Sequence, residues 1–200
     1  MICNSKIVAV ILAAGASTRM GQPKQLLPWK STTLLNHCIN EVIQADIIET
    51  AVILGSNHEE IQSTIKPSTI HCIYNTNWEN GMGSSIAKAT EYAMKKNIDG
   101  VLFVLADQPF VDSNYLNILL NEYIPKQNQI IGTSYNNHVG VPAIFDKRYF
   151  SELISLTGKQ GAKDLIHKYA PKVTKFSPDF DFQDIDTPED YRQLRKLSCK

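Results

Sequence analysis

Disulfide frameworks and zinc fingers are not to be expected from this sequence, because its cysteines are few and badly placed for either. Cys3, Cys38, Cys72 and Cys199 are the only four in 200 residues, with no C-x-x-C pair and no histidine beside them at zinc-ligand spacing. Reduced thiols are expected, and Cys38 in an apolar helical stretch and Cys72 in a strand-like one read as small packed hydrophobes. Net charge is missing too. Twenty Lys and Arg balance twenty Asp and Glu, so no overall basic field exists to hold nucleic acid or an anionic membrane, and phosphate binding has to be local. No continuous apolar run approaches the ~20 residues that cross a bilayer. Ten glycines and nine prolines beside 43% hydrophobic and 20% charged residues exclude collagen-like, low-complexity and largely disordered chains. A single domain over residues 1–200 is the default at this length.

One apolar segment needs a second reading. Ile7 to Ala14, following Lys6, has the length of a signal-peptide core, with Ala14-Gly15-Ala16 as a small-residue cleavage site. Cutting there would discard a buried strand and leave a glycine loop unanchored, so a cytoplasmic protein is expected.

The periodicity alternates. Ile7 to Leu12, Thr50 to Leu54, Ile70 to Tyr74 and Val101 to Leu105 are short apolar runs that each end at a loop residue, as strands covered on both faces do. Between them, helical spacing links Leu34, Leu35, Cys38, Ile39, Val42 and Ile43, then Ile61 and Ile65, then Ile86, Ala87, Ala89, Ala93 and Met94. Strand–helix alternation implies right-handed crossovers and a mostly parallel sheet with helices on both faces, a three-layer α/β sandwich. Further on, Tyr115 to Tyr123 reads as a helix, Ile130 to Thr133 and Val141 to Phe145 as strands, and Ala162 to Tyr169 as a helix ended by Pro171. Thr187-Pro188-Glu189-Asp190 supplies a cap, a first-turn proline and two acids, which open a last helix to about Leu197. Ligands of such sheets bind at the carboxyl ends of strands, here just after Leu12, Leu54, Tyr74 and Leu105.

Polar chemistry gathers at those points. Leu12-Ala13-Ala14-Gly15-Ala-Ser-Thr-Arg19-Met-Gly21-Gln-Pro-Lys24 follows the first strand with small residues, two glycines and two cations. Glycine lets backbone N–H groups approach a phosphate chain, while Arg19 offers a planar fork and Lys24 a point charge. The spacing fits neither a Walker loop nor a G-x-G-x-x-G dinucleotide loop. Asn80-Gly81-Met-Gly83-Ser84-Ser85 follows the third strand and opens the helix near Ile86, where Ser84 and Ser85 suit an N-cap and free amides favour an oxygen-rich ligand. Asp107 stands at the end of the Val101 strand, with Pro109 biasing Gln108 towards extended backbone. Asp184 and Asp186 precede the last helix, and Asp184 reads as solvated or capping.

Two carboxylates 4 Å apart repel by roughly 4 kcal/mol at an effective dielectric near 20, whereas a helix end offsets only about 0.3 to 1 kcal/mol. A bound triphosphate worsens that balance, so a divalent cation is required, and oxygen-only ligands point to Mg²⁺. The five histidines, His37, His58, His71, His138 and His167, show no paired spacing and read as surface or packing residues. Ser17 and Ser56 lie in loops without an identifiable base.

The string from Leu12 to Lys24, continued by Gln25-Leu26-Leu27, closely resembles the L-A-A-G-x-S-x-R-M-G-x-x-K loop of nucleotidylyltransferases, and more narrowly their molybdenum-cofactor cytidylyltransferase branch. The likeness continues through Asn80 to Ser85, Ala106 to Pro109, Gly140 to Phe145, Gly158 to Ala162 and Asp184 to Asp190. The resemblance implies a single Rossmann-like domain that transfers a nucleoside monophosphate from an NTP to a phosphorylated acceptor and releases pyrophosphate. It assigns Arg19 and Lys24 to the triphosphate and, with Asp107, to catalysis, and it makes Asp107 and Asp186 the metal-binding acids. Leu12, Ala13, Ala14, Gly15, Gly81, Ser84 and Ser85 become nucleotide contacts. Alanine at position 14 goes with CTP, where the guanylyl branch carries a second glycine. Gln108, Gly140, Pro142 and Gly161 fall on the acceptor side, which the resemblance assigns to molybdopterin. Val141 and Lys159 depart from the histidine and the acid usual in that branch. A transient contact with a molybdoenzyme or its maturation factors is implied as well.

Two other readings remain open from sequence: the same transfer to a sugar or polyol phosphate, and a nucleotide-binding chaperone without turnover. Retention of both cations and both acids argues against the second.

Overall fold

A computed structural model of the chain describes residues 6–66, 68–135, 138–158, 160–179 and 183–198. Its centre is strand β1 (Ile7–Ala13), buried along its whole length. Ile7, Ala9, Ile11 and Ala13 enter one apolar cluster and Val8, Val10 and Leu12 another. Side chains alternate across a strand, so a continuous apolar run satisfies two covered faces at once. The segment weighed as a possible leader is therefore the middle of the core.

Around β1 the chain forms a hairpin of β2 (Pro28–Trp29) and β3 (Thr32–Thr33), then α1 (Leu34–Gln44), β4 (Glu49–Leu54), α2 (His58–Thr64), β5 (His71–Tyr74), α3 (Met82–Lys95) and β6 (Gly100–Leu105). There follow α4 (Ser113–Asn121), β7 (Ile130–Tyr135), β8 (His138–Asp146), α5 (Phe150–Ile154), α6 (Ala162–Lys168), β9 (Val173–Phe176) and α7 (Pro188–Leu197). Seven strands make one sheet in the order β5-β4-β1-β6-β8-β7-β9. Pairing is parallel from β5 through β6 and between β7 and β9, while β8 is antiparallel to both neighbours. Helices α1, α2 and α4 cover one face and α3, α5 and α6 the other. The expected three-layer α/β sandwich is what forms.

Register places the site. Leu12 lies opposite Ile53 on β4 and Leu105 on β6, so the loops leaving these three strands emerge at one level on one edge. A third apolar cluster, of Met20, Leu27, Trp29, Leu34, Ile185 and Leu194, sits beside that edge and ties the loop after β1 to the segment entering α7. Trp29 is fully buried there, edge-on to Phe110 and tilted against Tyr191.

Local signals explain most boundaries. Thr33 accepts from the Asn36 N–H to cap α1, Asp112 from the Tyr115 N–H to cap α4, and Thr187 with Asp190 forms the expected capping box on α7. Helix α3 departs from the expectation. It starts at Met82 rather than near Ile86, its N-cap is Gly81, and Ser84 and Ser85 lie inside its first turn. Gly81 has φ 95°, a region that favours glycine, so the turn geometry moved the helix start four residues earlier than the apolar pattern. Four short elements had no sequence counterpart: the hairpin strands β2 and β3, helix α5 and the edge strand β9. Cys38 and Cys72 are free thiols as expected, while Cys3 and Cys199 lie outside the described residues. Among the described residues no helix is long and apolar enough to cross a membrane.

Truncating Trp29 to Ala is expected to cost about 3–5 kcal/mol, as for other fully buried large aromatics. The exposed Leu197→Ala change should stay within about 0.5 kcal/mol. Urea unfolding of both variants measures the contrast.

Candidate active site

The loop after β1 is shaped by a side chain that local sequence reading did not single out. Gln25 is buried, and its amide donates to the carbonyls of Ala13 at 2.8 Å and Gly15 at 3.1 Å. Ser17 Oγ accepts from the Lys24 N–H at 3.1 Å and donates to Gln25 Oε1. These bonds fold the loop back so that Lys24 faces the end of β6.

Three oxygens meet the Lys24 ammonium. Nζ lies 2.5 Å from Asp107 Oδ2, 3.1 Å from Asp186 Oδ1 and 3.1 Å from the Ile185 carbonyl. An ammonium has three donors, and all three are used. The Ile185 N–H in turn donates to the Asp107 carbonyl at 2.9 Å, which docks the segment leading into α7 against the end of β6. Burial alone would lower the Lys24 pKa, but the charges and hydrogen bonds of Asp107 and Asp186 outweigh it and hold the group above its ordinary value. Arg19 reaches Asp186 Oδ2 at 3.2 Å, yet its side chain is 72% exposed where that of Lys24 is 17% exposed. Water competes with that bridge, so it binds the guanidinium weakly and leaves it available to a ligand.

Among the described residues no group of three or more histidine, cysteine or acidic side chains forms a metal cage. What the site offers is a carboxylate pair on one cation, and Asp107 Oδ1 is buried with no hydrogen-bond donor. Such a set fits a hard divalent cation, which takes one or two carboxylates and completes its shell with phosphate oxygens and water.

Two cavities open on either side of Leu12 and Leu105. The smaller, about 160 Å³, is lined by Leu12, Ala13, Ala14 and Gly15 from the first loop, Lys24 and Asp107 from the charge cluster, and Trp78, Gly81 and Ser85 from the turn into α3. Arg19 and Ser84 do not line it. Ser84 Oγ is occupied locally, donating towards the carbonyls of Asn77 and Gly81 and accepting from Asn75. A side chain added at Gly15 would meet nothing within 4 Å, so it is not packing of the chain itself that keeps this position small.

The larger cavity, about 320 Å³, contains Gln108, Gly140 and Gly161 together with Tyr135, Val141 and Asp184. Pro142 is not in its wall; its carbonyl accepts from Thr133 inside the sheet. Gln108 is buried and its amide donates to Asp184 Oδ1 at 2.9 Å and Tyr135 Oη at 3.1 Å, leaving Oε1 with no donor. The Tyr135 hydroxyl donates to the Val141 carbonyl. Partial loss of solvent and the nearby Asp107 charge raise the Asp184 pKa, with the Gln108 bond opposing. Asp184, read from sequence as solvated or capping, therefore joins the site. Lys159 lies outside the described residues. The two walls are also tied together: the Gly83 N–H donates to the Gly158 carbonyl, and a side chain at Gly83 would come within 3.0 Å of the Thr157 backbone.

Groups set aside in the sequence remain outside. Burial pushes the Cys38 thiol up to about 12, far from a reactive thiolate. His37 is buried against Trp29 with a ring nitrogen on the Pro109 carbonyl, and burial lowers its pKa.

Comparison with known proteins shows a family and a set of relatives that carry different names. Residues 9–173 match the family described as the MobA-like NTP transferase domain. The chain is 26% identical over 202 residues to the purine catabolism protein PucB of Bacillus subtilis, covering 95% of this chain and 96% of that one. It is 26% identical over 199 residues to the nicotine blue oxidoreductase of Paenarthrobacter nicotinovorans, covering 94% and 96%. It is also 26% identical over 207 residues to a probable molybdenum cofactor guanylyltransferase of Bacillus mycoides, covering 96% and 97%. Among solved structures, a manganese complex of Rv0371c from Mycobacterium tuberculosis superposes with a TM-score of 0.77 at 26% identity, covering 96% of this chain and 98% of that one.

Replacing Lys24 with Met leaves two carboxylates facing each other and is expected to cost about 1–3 kcal/mol. Adding Asp107→Asn should recover part of that loss, whereas Arg19→Ala should stay within about 0.5 kcal/mol. A double-mutant cycle by urea unfolding tests all three values.

Proposed function

The chain belongs to the MobA-like NTP transferase family, and from that premise we propose that it transfers CMP from CTP to the phosphate of molybdopterin or the molybdenum cofactor, releasing pyrophosphate. The observation that carries this reading is the pair of adjoining cavities. They share Leu12, Met82 and Leu105 as a common wall, with the Lys24–Asp107 pair at one and Gln108 with Asp184 at the other. A nucleotide in the first and a phosphorylated heterocycle in the second bring two phosphates together at the end of β6.

An oxygen of the acceptor phosphate attacks the α-phosphorus in line, a new O–P bond forms, and the bond to pyrophosphate breaks. No general base is needed, because a phosphate with a second pKa near 6 is largely ionised at pH 7. Lys24 and Arg19 stabilise charge that develops on the α-phosphate and the leaving group. Two cations and two carboxylates cancel in this cluster, so a triphosphate arrives without compensation. Asp107 and Asp186 would hold a divalent cation, Mg²⁺ in our reading, which when bound supplies the missing positive charge. The open space over Gly15 supports close approach of the phosphate chain to the backbone.

CTP is preferred over GTP because Ala14 lines the nucleotide cavity where the guanylyl branch carries glycine, although a relative bears the guanylyl name. Val141, in place of that branch's usual histidine, lines the acceptor cavity. We place the reaction in the cytoplasm and expect the product to pass through transient contact to a molybdoenzyme or its maturation factors.

Pyrophosphate release should be fastest with CTP among the four ribonucleotides, and should need both Mg²⁺ and molybdopterin. Release from GTP instead would correct the nucleotide, and release only with a sugar or polyol phosphate would correct the acceptor. Asp107→Ala should lower turnover by about 100-fold or more while retaining a cooperative thermal transition.

A further inference from the structure

Trp78 lines the nucleotide cavity but has no part in the transfer just described. Its place follows from the strand order. Asp107 marks the phosphate end beyond β6, on one side of β1, whereas Trp78 packs over Gly55 at the end of β4, on the other side. The cavity thus runs across the top of β1, from the charge cluster to the indole.

The packing that holds the indole is unusually close. A Cβ built on Gly55 would lie 2.6 Å from Trp78 Cβ, 2.7 Å from its Cγ and 2.5 Å from the Ala14 carbonyl oxygen. Only a residue without a side chain lets these groups approach. That same Ala14 carbonyl accepts from the Ser56 N–H at 3.1 Å. The backbone on either side of Trp78 is fixed as well, since the Trp78 N–H donates to the Asn75 carbonyl at 3.2 Å and the Gly81 N–H to the Trp78 carbonyl at 3.0 Å. Ala14 and the indole therefore sit in set positions at the end of the cavity away from the cations.

Resting on the nucleotidyl-transfer reading, we propose that Trp78 is the wall of the base subsite, and that Gly55, by seating it against Ala14, sets the cavity length that admits a pyrimidine and excludes a purine. A triphosphate held at the charge cluster has its base directed to the opposite end, where a flat aromatic surface gains contact with any base of fitting length. Gly55 acts only through Trp78 and Ala14 and is a positioning residue.

The chain has two tryptophans, and Trp29 is fully buried in the separate cluster beside α7. Intrinsic fluorescence reports on both indoles when CTP or GTP is added to the whole protein without acceptor, the part lost in Trp78→Ala is the signal of Trp78, and calorimetry is an independent measure of binding. CTP is expected to quench the emission. Trp78→Ala should abolish the quench, weaken CTP binding roughly 10- to 100-fold, the range of one base–aromatic stack, and narrow the CTP-over-GTP preference about 10-fold. Its effect in turnover should fall on KM more than on kcat. Gly55→Ala, which displaces both the indole and the Ala14 carbonyl while changing no side chain that lines the cavity, should also weaken CTP binding, and near-ultraviolet circular dichroism shows whether its aromatic packing persists. If CTP binds by calorimetry while Trp78→Ala keeps both affinity and preference, the base-wall assignment is overturned and the transfer reading stands. If neither nucleotide binds the wild-type protein, both fall together.

Discussion

The junction of three chain segments at the carboxyl edge of the sheet depends on one ammonium group. Lys24 is largely withdrawn from water and charged, which is tolerable only because Asp107, Asp186 and the Ile185 carbonyl take its three protons in hydrogen bonds. That demand fixes three parts of the chain against one another: the loop after β1, the end of β6 and the approach to α7. The apolar cluster around Trp29 backs the same junction. Charge and packing thus act on one joint, and the joint fixes where the two carboxylates sit.

The antiparallel strand β8 gives the second half of the site its form. Parallel strands from β5 to β6 deliver loops to a single edge, and a further crossover in the same sense would have placed another loop there. Instead β8 begins at that edge with His138, Gly140 and Val141 and runs away from it. The wall it provides combines the backbone at Gly140 with the Val141 and His138 side chains, while Tyr135 and Gln108 bridge from the neighbouring elements. In the proposed reading, loops serve the nucleotide and a sheet edge the acceptor, with Leu12 and Leu105 lining both cavities between them.

Much of this was legible in the residues. Continuous apolar runs read correctly as two-faced strands for β1, β4 and β6, because burial on both faces leaves no polar alternation, but the run ending at Tyr74 does not: β5 is the sheet's edge strand, half-buried or exposed along its length. The loop from Leu12 to Lys24 was legible because small residues and cations immediately after a buried strand have few other uses. Less accessible were features whose meaning is set at long range. Gln25 looks like an ordinary polar residue until the Ala13 and Gly15 carbonyls fold onto it, and Asp184 looks like a capping acid until Gln108, 76 positions away, donates to it. Strand β9 has only four residues, all half-exposed or exposed at the sheet margin, so periodicity had little to register. The start of α3 was displaced because Gly81, through its backbone conformation, outweighs the apolar pattern that begins at Ile86.

The bridge between Lys24 and Asp186 spans 162 positions. During translation the glycine loop and its lysine leave the ribosome long before the second acid exists, so the nascent chain carries a half-neutralised cluster with no closed junction. The second acid and helix α7 behind it are made late, so in the proposed reading a chain cut short before them is denied a competent site by the order of its own synthesis.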